Sequence, residues 1–270
     1  MVIPRYGQAV YTPRTPLPDS RVLIEACVDS VPSALAAEAG GADRIELCDN
    51  MIEGGTTPSA GTIAEAKARL RIPVFVMIRP RGGDFLYSEV EYGVMRRDVA
   101  HARALGADGV VLGLLDRGGA VDVERTAALV EAARPLPVTF HRAFDVARDP
   151  DEALEALVRL RVERVLTSGQ ATTAPEGAAL ITRLVRQAAG RIGILPGCGI
   201  DETNIREFVA QTGTREVHVR GTSRVRTGMA HRNPRISFRA AVDDDDSVLE
   251  VTDAGRIRAM ARRLLGEEAR

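Results

Sequence analysis

Short apolar runs alternate with amphipathic stretches from Val22 almost to the end of the chain. Between the runs, apolar residues recur every three or four positions, which is typical of helices that pack one face against a sheet. This alternation predicts consecutive strand–helix units. Eight runs predict strands, at residues 22–28, 44–48, 74–78, 109–115, 138–140, 164–168, 191–195 and 216–219.

The number and composition of the predicted strands favour a closed barrel. Several runs are apolar at consecutive positions, as expected of parallel strands that are covered on both faces. Eight strand–helix units are the content of a TIM-type barrel. We therefore predict an α/β fold, a (β/α)8 TIM-type barrel that forms a single domain over residues 22–270. An open doubly wound sheet is the alternative.

Two aspartates mark predicted helix starts. Asp149 precedes Pro150, and an aspartate oxygen can accept a free backbone N–H where proline needs no partner for its own nitrogen. Asp201 precedes Glu202 and predicts a second helix start by the same reasoning.

Two segments lie outside the repeating pattern. Residues 1–21 are rich in proline and lack apolar periodicity, so we predict an N-terminal tail. Residues 220–250 form a long polar segment before the last helix, with the acidic run Asp243 to Asp246. We interpret this segment as a solvated excursion or a subunit-contacting arm rather than a cation site.

Composition and charge exclude several classes of protein. The 270 residues are 45% hydrophobic, which is enough for one large core. A net charge of -1 gives no overall field that would attract nucleic acid or an anionic membrane. No apolar stretch is long enough to cross a bilayer and no signal peptide is recognisable, so we expect a cytoplasmic protein. Three cysteines are too few for a disulfide framework and should be reduced.

Carboxylates and thiols repeat at the same spacing on the first two predicted strands. Glu25 and Cys27 are two residues apart, as are Glu46 and Cys48, so each pair shares a face of its strand. Barrels of this class place function at the C-terminal strand ends, where either glutamate could move a proton. Two plainer interpretations stay open: the glutamates could pair with arginines in a structural ion network, and the cysteines could be small buried hydrophobes.

Strands three and five end in segments whose composition is typical of anion binding. The motif RPRGGDF supplies Arg79 and Arg81 before two glycines. The motif TFHRAFD supplies His141 as a candidate acid or base, Arg142 as a candidate clamp for an anion, and Asp145 as a partner to either.

The last three strands end in loops that could hold a phosphate. Ser168 lies in TSGQ, Gly197 and Gly199 lie in PGCGI, and His218 lies in EVHVRG. Loops after strands seven and eight of such barrels commonly bind phosphate through backbone N–H groups. The glycines could equally be ordinary turn residues, and His218 could be a core histidine.

Several motifs, in the same order, resemble the CutC family over about residues 22–235. The resemblance implies a TIM-type barrel, a cytoplasmic homo-oligomer and a role in copper homeostasis. Its copper-binding cysteines match Cys27 and Cys48, and Cu(I) prefers such soft thiolate ligands. The chain departs from the family pattern at PGCG and after EVH. The matching motifs are EACVDS (25–30), GADRIELC (41–48), EGGTTPS (53–59), IRPRGGDF (78–85), VTFHRAFD (138–145), LTSGQ (166–170) and EVH (216–218).

Two functional hypotheses follow. In the first, the protein binds Cu(I) through Cys27 and Cys48, with Cys198 as a candidate third thiolate. In the second, it is an isomerase, aldolase or hydrolase for a small anionic metabolite, phosphorylated or sugar-like, which the arginines hold while a carboxylate or His141 moves a proton. A divalent cation held by Glu25, Glu46 and a histidine is compatible with the second hypothesis.

Overall fold

Eight parallel strands form the centre of the computed structural model, which describes residues 21–233, 235–236, 238 and 245–267. Hydrogen bonds join the strands in the order β7-β6-β5-β4-β3-β2-β1-β8. A parallel bridge between Gly197 and His218 brings the ends of this sheet together, so the barrel is nearly closed. The predicted (β/α)8 barrel is confirmed and the open sheet is excluded. The strands are β1 (Leu23–Val28), β2 (Arg44–Leu47), β3 (Val74–Met77), β4 (Gly109–Leu112), β5 (Val138–Phe140), β6 (Arg164–Thr167), β7 (Gly193–Pro196) and β8 (Glu216–Val219).

Helices surround the barrel, and the last of them packs against the first. They are α1 (Val31–Gly40), α2 (Ala60–Arg69), α3 (Glu89–Ala104), α4 (Val123–Ala133), α5 (Pro150–Arg159), α6 (Ala178–Ala188), α7 (Ile205–Thr212) and α8 (Ala254–Leu265), with short 3-10 turns at Met51–Glu53 and Arg142–Val146. Outward-facing strand residues such as Ile24, Ile45 and Val110 are fully buried beneath these helices. None of the helices in the described ranges is long and apolar enough to cross a membrane.

One of the two predicted helix starts is correct. Asp149 accepts hydrogen bonds from the N–H groups of Asp151 and Glu152, and α5 begins at Pro150. The prediction at Asp201 is wrong. Its side chain bonds to Thr203 within the preceding turn, so the helix begins later, at Ile205.

Charged and aromatic side chains fill the N-terminal end of the barrel interior. The guanidinium groups of Arg44 and Arg164 lie 5.0 and 5.2 Å from the centre of the Phe75 ring. Glu216 accepts hydrogen bonds from both arginines. Because this end is filled by mutually paired groups, the opposite end is where side chains remain available for chemistry.

The polar segment before the last helix contains a structured pair of strands that the sequence analysis missed. Strands β9 (Thr222–Arg226) and β10 (Val248–Thr252) pair in antiparallel fashion. Of the acidic run, the structure describes Asp245 and Asp246, and Asp245 lies within 3.4 Å of Arg226. Residues 1–20 of the predicted tail lie outside the described residues.

Candidate functional site

Two buried cysteines face each other between β1 and β2. The register of these strands places Cys27 opposite Glu46, and Cys48 directly follows β2. The two Sγ atoms are 4.0 Å apart, and the residues are 5% and 1% exposed. The structure thus brings together the two Glu–Cys pairs that the spacing placed on neighbouring strands. The thiols share an apolar cluster with Phe75, Met77 and Val111.

A histidine and two glutamates adjoin the thiols. Nδ1 of His218 lies 2.8 Å from Oε1 of Glu25, and its Nε2 lies 3.6 Å from Oε2 of Glu46. The same Glu46 oxygen accepts a hydrogen bond from the Cys48 thiol at 3.5 Å. A histidine held by a carboxylate at one nitrogen presents the other nitrogen in a fixed direction, as in many metal sites.

Arg44, which the sequence analysis did not single out, fixes Glu25. It donates from Nε to Glu25 and from a terminal nitrogen to Glu216 at 2.9 Å. Burial would raise the pKa of the Glu25 carboxyl, but the charge of Arg44 and the bond with His218 hold it well below its ordinary value. Glu25 therefore belongs to a buried ion network, with Arg44 as the partner. The signal was present in the sequence as an arginine two residues before Glu46.

Glu46, unlike Glu25, has no arginine partner among the described residues. Burial, and then the negative charge of Cys27, raise its pKa well above the ordinary value. Its Oε1 atom is buried and has no hydrogen-bond partner among the described residues. The same charge acts on His218: burial would lower the pKa of the imidazole, but Glu46, Cys27 and Glu25 together raise it well above its ordinary value.

The two thiols have different proton affinities. The hydrogen bond with Cys48 holds the pKa of Cys27 well below its ordinary value, and the bond with His218 adds to this, although burial opposes both. The same bond to Cys27, together with burial, raises the pKa of Cys48. Deprotonation is therefore easier at Cys27 than at Cys48.

Two overlapping sets of side chains could hold a metal ion, and Glu46 belongs to both. Cys27, Glu46 and Cys48 form the first set, and Glu25, Glu46 and His218 form the second; within each set the ligand atoms lie within 4.8 Å of one another. Sulfur donors suit a soft ion such as Cu(I), whereas oxygen and nitrogen donors suit harder divalent ions.

The arginines after β3 hold the protein's own loops. Buried Arg79 donates to the carbonyl oxygens of Glu53, Gly55 and Gly83 at 2.6, 2.7 and 2.9 Å. Arg81 donates to Glu91 at 2.5 Å and to groups on residues 82–86. These bonds occupy most of the donors of both side chains, so binding of an anion by them stays a prediction.

Arg142, Asp145 and Ser168 form a closed network at the ends of β5 and β6. Arg142 donates to Asp145 at 2.7 Å and to the Ser168 hydroxyl at 2.8 Å. Asp145 also accepts from the Thr167 hydroxyl at 2.5 Å and from the Ser168 N–H at 3.0 Å. This network joins two loops, and the catalytic role predicted for Asp145 stays a prediction.

His141 is buried at the end of β5 in its neutral form. Its Nδ1 accepts a hydrogen bond from the N–H of Ala143 at 3.1 Å, and its ring lies 5.0 Å from that of Phe85. Burial, and then the positive charge of Arg79, lower its pKa to about 3. Its Nε2 has no partner among the described residues, which leaves it available to a ligand.

The loop after β7 packs directly on the histidine of β8. A Cβ atom at Gly197 would lie 3.0 Å from the His218 ring, so this position requires glycine. Gly199 has a positive φ of 77°. Cys198 is exposed, donates to the Thr172 carbonyl at 3.4 Å, and belongs to neither set of candidate metal ligands. Phosphate binding by this loop stays a prediction.

Comparison with known proteins gives consistent matches over most of the chain. The model of the CutC family matches residues 22–223. The Homo sapiens protein named copper homeostasis protein cutC homolog is 50% identical over 246 residues, which cover 90% of each chain. The CutC family protein of Chromobacterium violaceum is 48% identical over 242 residues, 90% of this chain and 98% of that one.

Solved structures with the same architecture include a relative and a distant neighbour. The crystal structure of CutC from Streptococcus agalactiae superposes with a TM-score of 0.71 at 36% identity, and the match covers 73% of this chain and 98% of that chain. The N-(5'-phosphoribosyl)anthranilate isomerase of Pyrococcus furiosus superposes with a TM-score of 0.54 at 12% identity, over 91% and 100% of the two chains. At this identity the second likeness shows the fold alone.

Proposed function

This chain belongs to the CutC family, and from that premise we propose that it binds Cu(I) through the thiolates of Cys27 and Cys48. The observation that carries the proposal is the approach of the two buried Sγ atoms to 4.0 Å. We further propose that it acts in copper homeostasis in the cytoplasm, where thiols stay reduced. Both the human and the Streptococcus agalactiae relatives carry the words copper homeostasis in their names.

The chemistry of the donor set fits this ion. Two thiolates on neighbouring strands can give Cu(I) the low-coordinate sulfur environment that it prefers. Phe75, Met77 and Val111 surround the sulfurs with apolar surface, and such surroundings limit access of water and of oxidants to a bound ion.

Glu46 can be the first acceptor of the proton that metal binding releases on its way to solvent. Thiolate ligands must be deprotonated, so uptake of Cu(I) displaces the hydrogen that Cys48 donates to Glu46 at 3.5 Å. Oε1 of Glu46 is unpartnered within the described ranges and can accept that proton. His218, which Glu25 orients, lowers the pKa of the Cys27 thiol and so favours its thiolate form.

Competition between the protein and a Cu(I) chelator, without oxygen, tests the proposal. We expect one Cu(I) per chain in the wild type, and no competition in the Cys27→Ser, Cys48→Ser double variant. Cys198→Ser is the matched control, because this exposed thiol lies in neither candidate ligand set and should bind copper as the wild type does. Equal affinity of the wild type and the double variant would refute the proposal.

A second candidate function, an enzyme for a small anionic metabolite, rests on His141. Its neutral, buried ring accepts a hydrogen bond at Nδ1, so its Nε2 carries the proton and can donate a hydrogen bond to an anionic substrate. An isomerase, aldolase or hydrolase could use it, with a divalent ion held by Glu25, Glu46 and His218. Thermal stabilisation of the wild type, but not of His141→Asn, by one of a panel of phosphorylated sugars would support this function. Absence of stabilisation across the panel would argue against it.

We also propose that the chain forms a homo-oligomer. Exposed apolar side chains on the antiparallel β9–β10 pair support this, because Val225 and Leu249 lie directly opposite each other and are both 41% exposed. Sedimentation velocity should give a mass that is a multiple of 29.0 kDa, and a monomer at all concentrations would contradict the proposal.

A further inference from the structure

We propose that the thioether of Met51 is a third sulfur ligand for the Cu(I) ion that Cys27 and Cys48 bind. This inference rests on the proposed function and adds a residue that the cysteine pattern does not identify. Met51 is the first residue of the 3-10 turn Met51–Glu53, at the C-terminal end of the barrel. Its side chain packs on the cluster that contains both thiols.

The spacing of the sulfur atoms fits a three-coordinate ion. Sδ of Met51 lies 3.9 Å from Sγ of Cys27, and Sγ of Cys48 lies 4.0 Å from the same atom. With a metal–sulfur bond of about 2.3 Å, ligands at the corners of a trigonal plane are separated by about 4.0 Å. Two ligands on opposite sides of the ion would be about 4.6 Å apart. The two separations from Cys27 therefore match three sulfur ligands better than two.

Backbone hydrogen bonds hold the Met51 turn over the thiols. Asp49 and Thr56 pair across the base of the turn, with N–O distances of 3.0 and 2.8 Å. The N–H of Gly54 closes the turn by donating to the Met51 carbonyl at 3.1 Å. At Gly55, φ is 91° and a Cβ atom would lie 3.1 Å from Sγ of Cys48, so glycine lets the turn approach this thiol.

Arg79 is the positioning residue for this turn. Its buried guanidinium donates to the carbonyl oxygens of Glu53 at 2.6 Å and Gly55 at 2.7 Å, two residues that follow Met51 in the chain. Because Arg79 lies two residues after the end of β3, these bonds tie the turn to the barrel. Among the described residues Arg79 forms no ion pair, so its burial is explained by the loop that it holds.

The chemistry of a thioether suits Cu(I) in particular. Methionine sulfur is soft and neutral, so it binds Cu(I) without adding to the negative charge of two thiolates. Glu46, the other donor beside the cysteines, offers oxygen, which suits harder ions. Met51 therefore completes an all-sulfur set, and we expect it to increase the affinity for Cu(I).

X-ray absorption at the copper edge, on selenomethionine-labelled protein loaded with Cu(I), tests the proposal. Selenium in place of the Met51 sulfur should give a copper–selenium scattering path. This path should disappear in Met51→Leu and persist in Met77→Leu, the matched control from the same apolar cluster. Methionine to leucine keeps the volume of the side chain, so both variants should fold.

Competition with a chelator gives an independent measurement. Met51→Leu should bind Cu(I) about tenfold more weakly or worse, since even residues behind the ligands commonly contribute that much. Met229→Leu, at an exposed methionine, should bind as the wild type does. A copper–selenium path that is absent, or that survives in Met51→Leu, would overturn the role of Met51 while leaving the thiolate site intact. If the cysteine variants bound copper as the wild type does, the proposed function itself would be refuted.

Discussion

Replacing His141 with asparagine should make the protein less sensitive to acid. The pKa of the folded histidine is about 3, below its ordinary value of 6.5, because the ring is buried and lies near Arg79. Between these two pH values the unfolded chain binds a proton that the folded chain does not. The stabilisation is therefore complete above pH 6.5 and is lost progressively as the pH falls toward 3.

The magnitude follows from the size of the shift. Each pH unit between the two pKa values costs about 1.4 kcal/mol. Lowering the pH from about 7 to about 4 should thus remove about 3 kcal/mol of stability through His141 alone. That is a large part of the roughly 5–15 kcal/mol by which folded domains exceed their unfolded state.

Urea unfolding at both pH values, for the wild type and His141→Asn, measures this contribution. An asparagine oxygen can replace Nδ1 as the acceptor for the Ala143 N–H. The loss of packing is the same at both pH values and cancels in the comparison, as do the titrations of the carboxylates. The wild type should lose about 3 kcal/mol more than the variant. Equal losses would refute the assignment of His141 as a buried neutral imidazole.

Three further predictions concern the ion network, the packing and the thiols of the site. Arg44→Met leaves Glu25 and Glu216 without their shared partner and should lower the free energy of unfolding by about 3–5 kcal/mol; a loss under about 1 kcal/mol in urea unfolding would contradict this. Gly113→Ala places a Cβ atom 2.5 Å from the His141 ring and should cost about 1–3 kcal/mol in the same assay, whereas an unchanged midpoint would show that the ring moves freely. Cu(I) uptake should release protons into a weakly buffered solution at both pH 6 and pH 8, because the raised pKa of Cys48 keeps it a thiol at both; uptake without acidification would show that both thiols are already ionised.

The barrel could be predicted because its signal is repeated along the chain. Strands such as β3 and β4 are apolar at consecutive positions because helices cover one face and the barrel interior the other, and a short apolar run followed by an amphipathic stretch recurs eight times. The pair β9 and β10 was missed because it is partly exposed and rich in charged residues, such as Arg224 and Glu250. Its strands pair with each other outside the barrel, so they lack the apolar pattern that burial imposes.

The site could be predicted in its composition but less well in its partnerships. Two-residue spacing placed Glu25, Cys27, Glu46 and Cys48 on shared faces, and the structure brings all four together. What each arginine binds depends on loops that are remote in sequence. Arg79 donates to carbonyl groups 24 and 26 residues away, and no local pattern encodes such contacts. A methionine in a loop likewise carries no signal until the turn places it beside a thiol.

A crystal structure of the protein loaded anaerobically with Cu(I), with anomalous data collected on either side of the copper absorption edge, tests the central claim most directly. The account predicts one strong copper peak per chain within bonding distance of Sγ of both Cys27 and Cys48. A peak at Cys198 or on the surface, with none between β1 and β2, would contradict it.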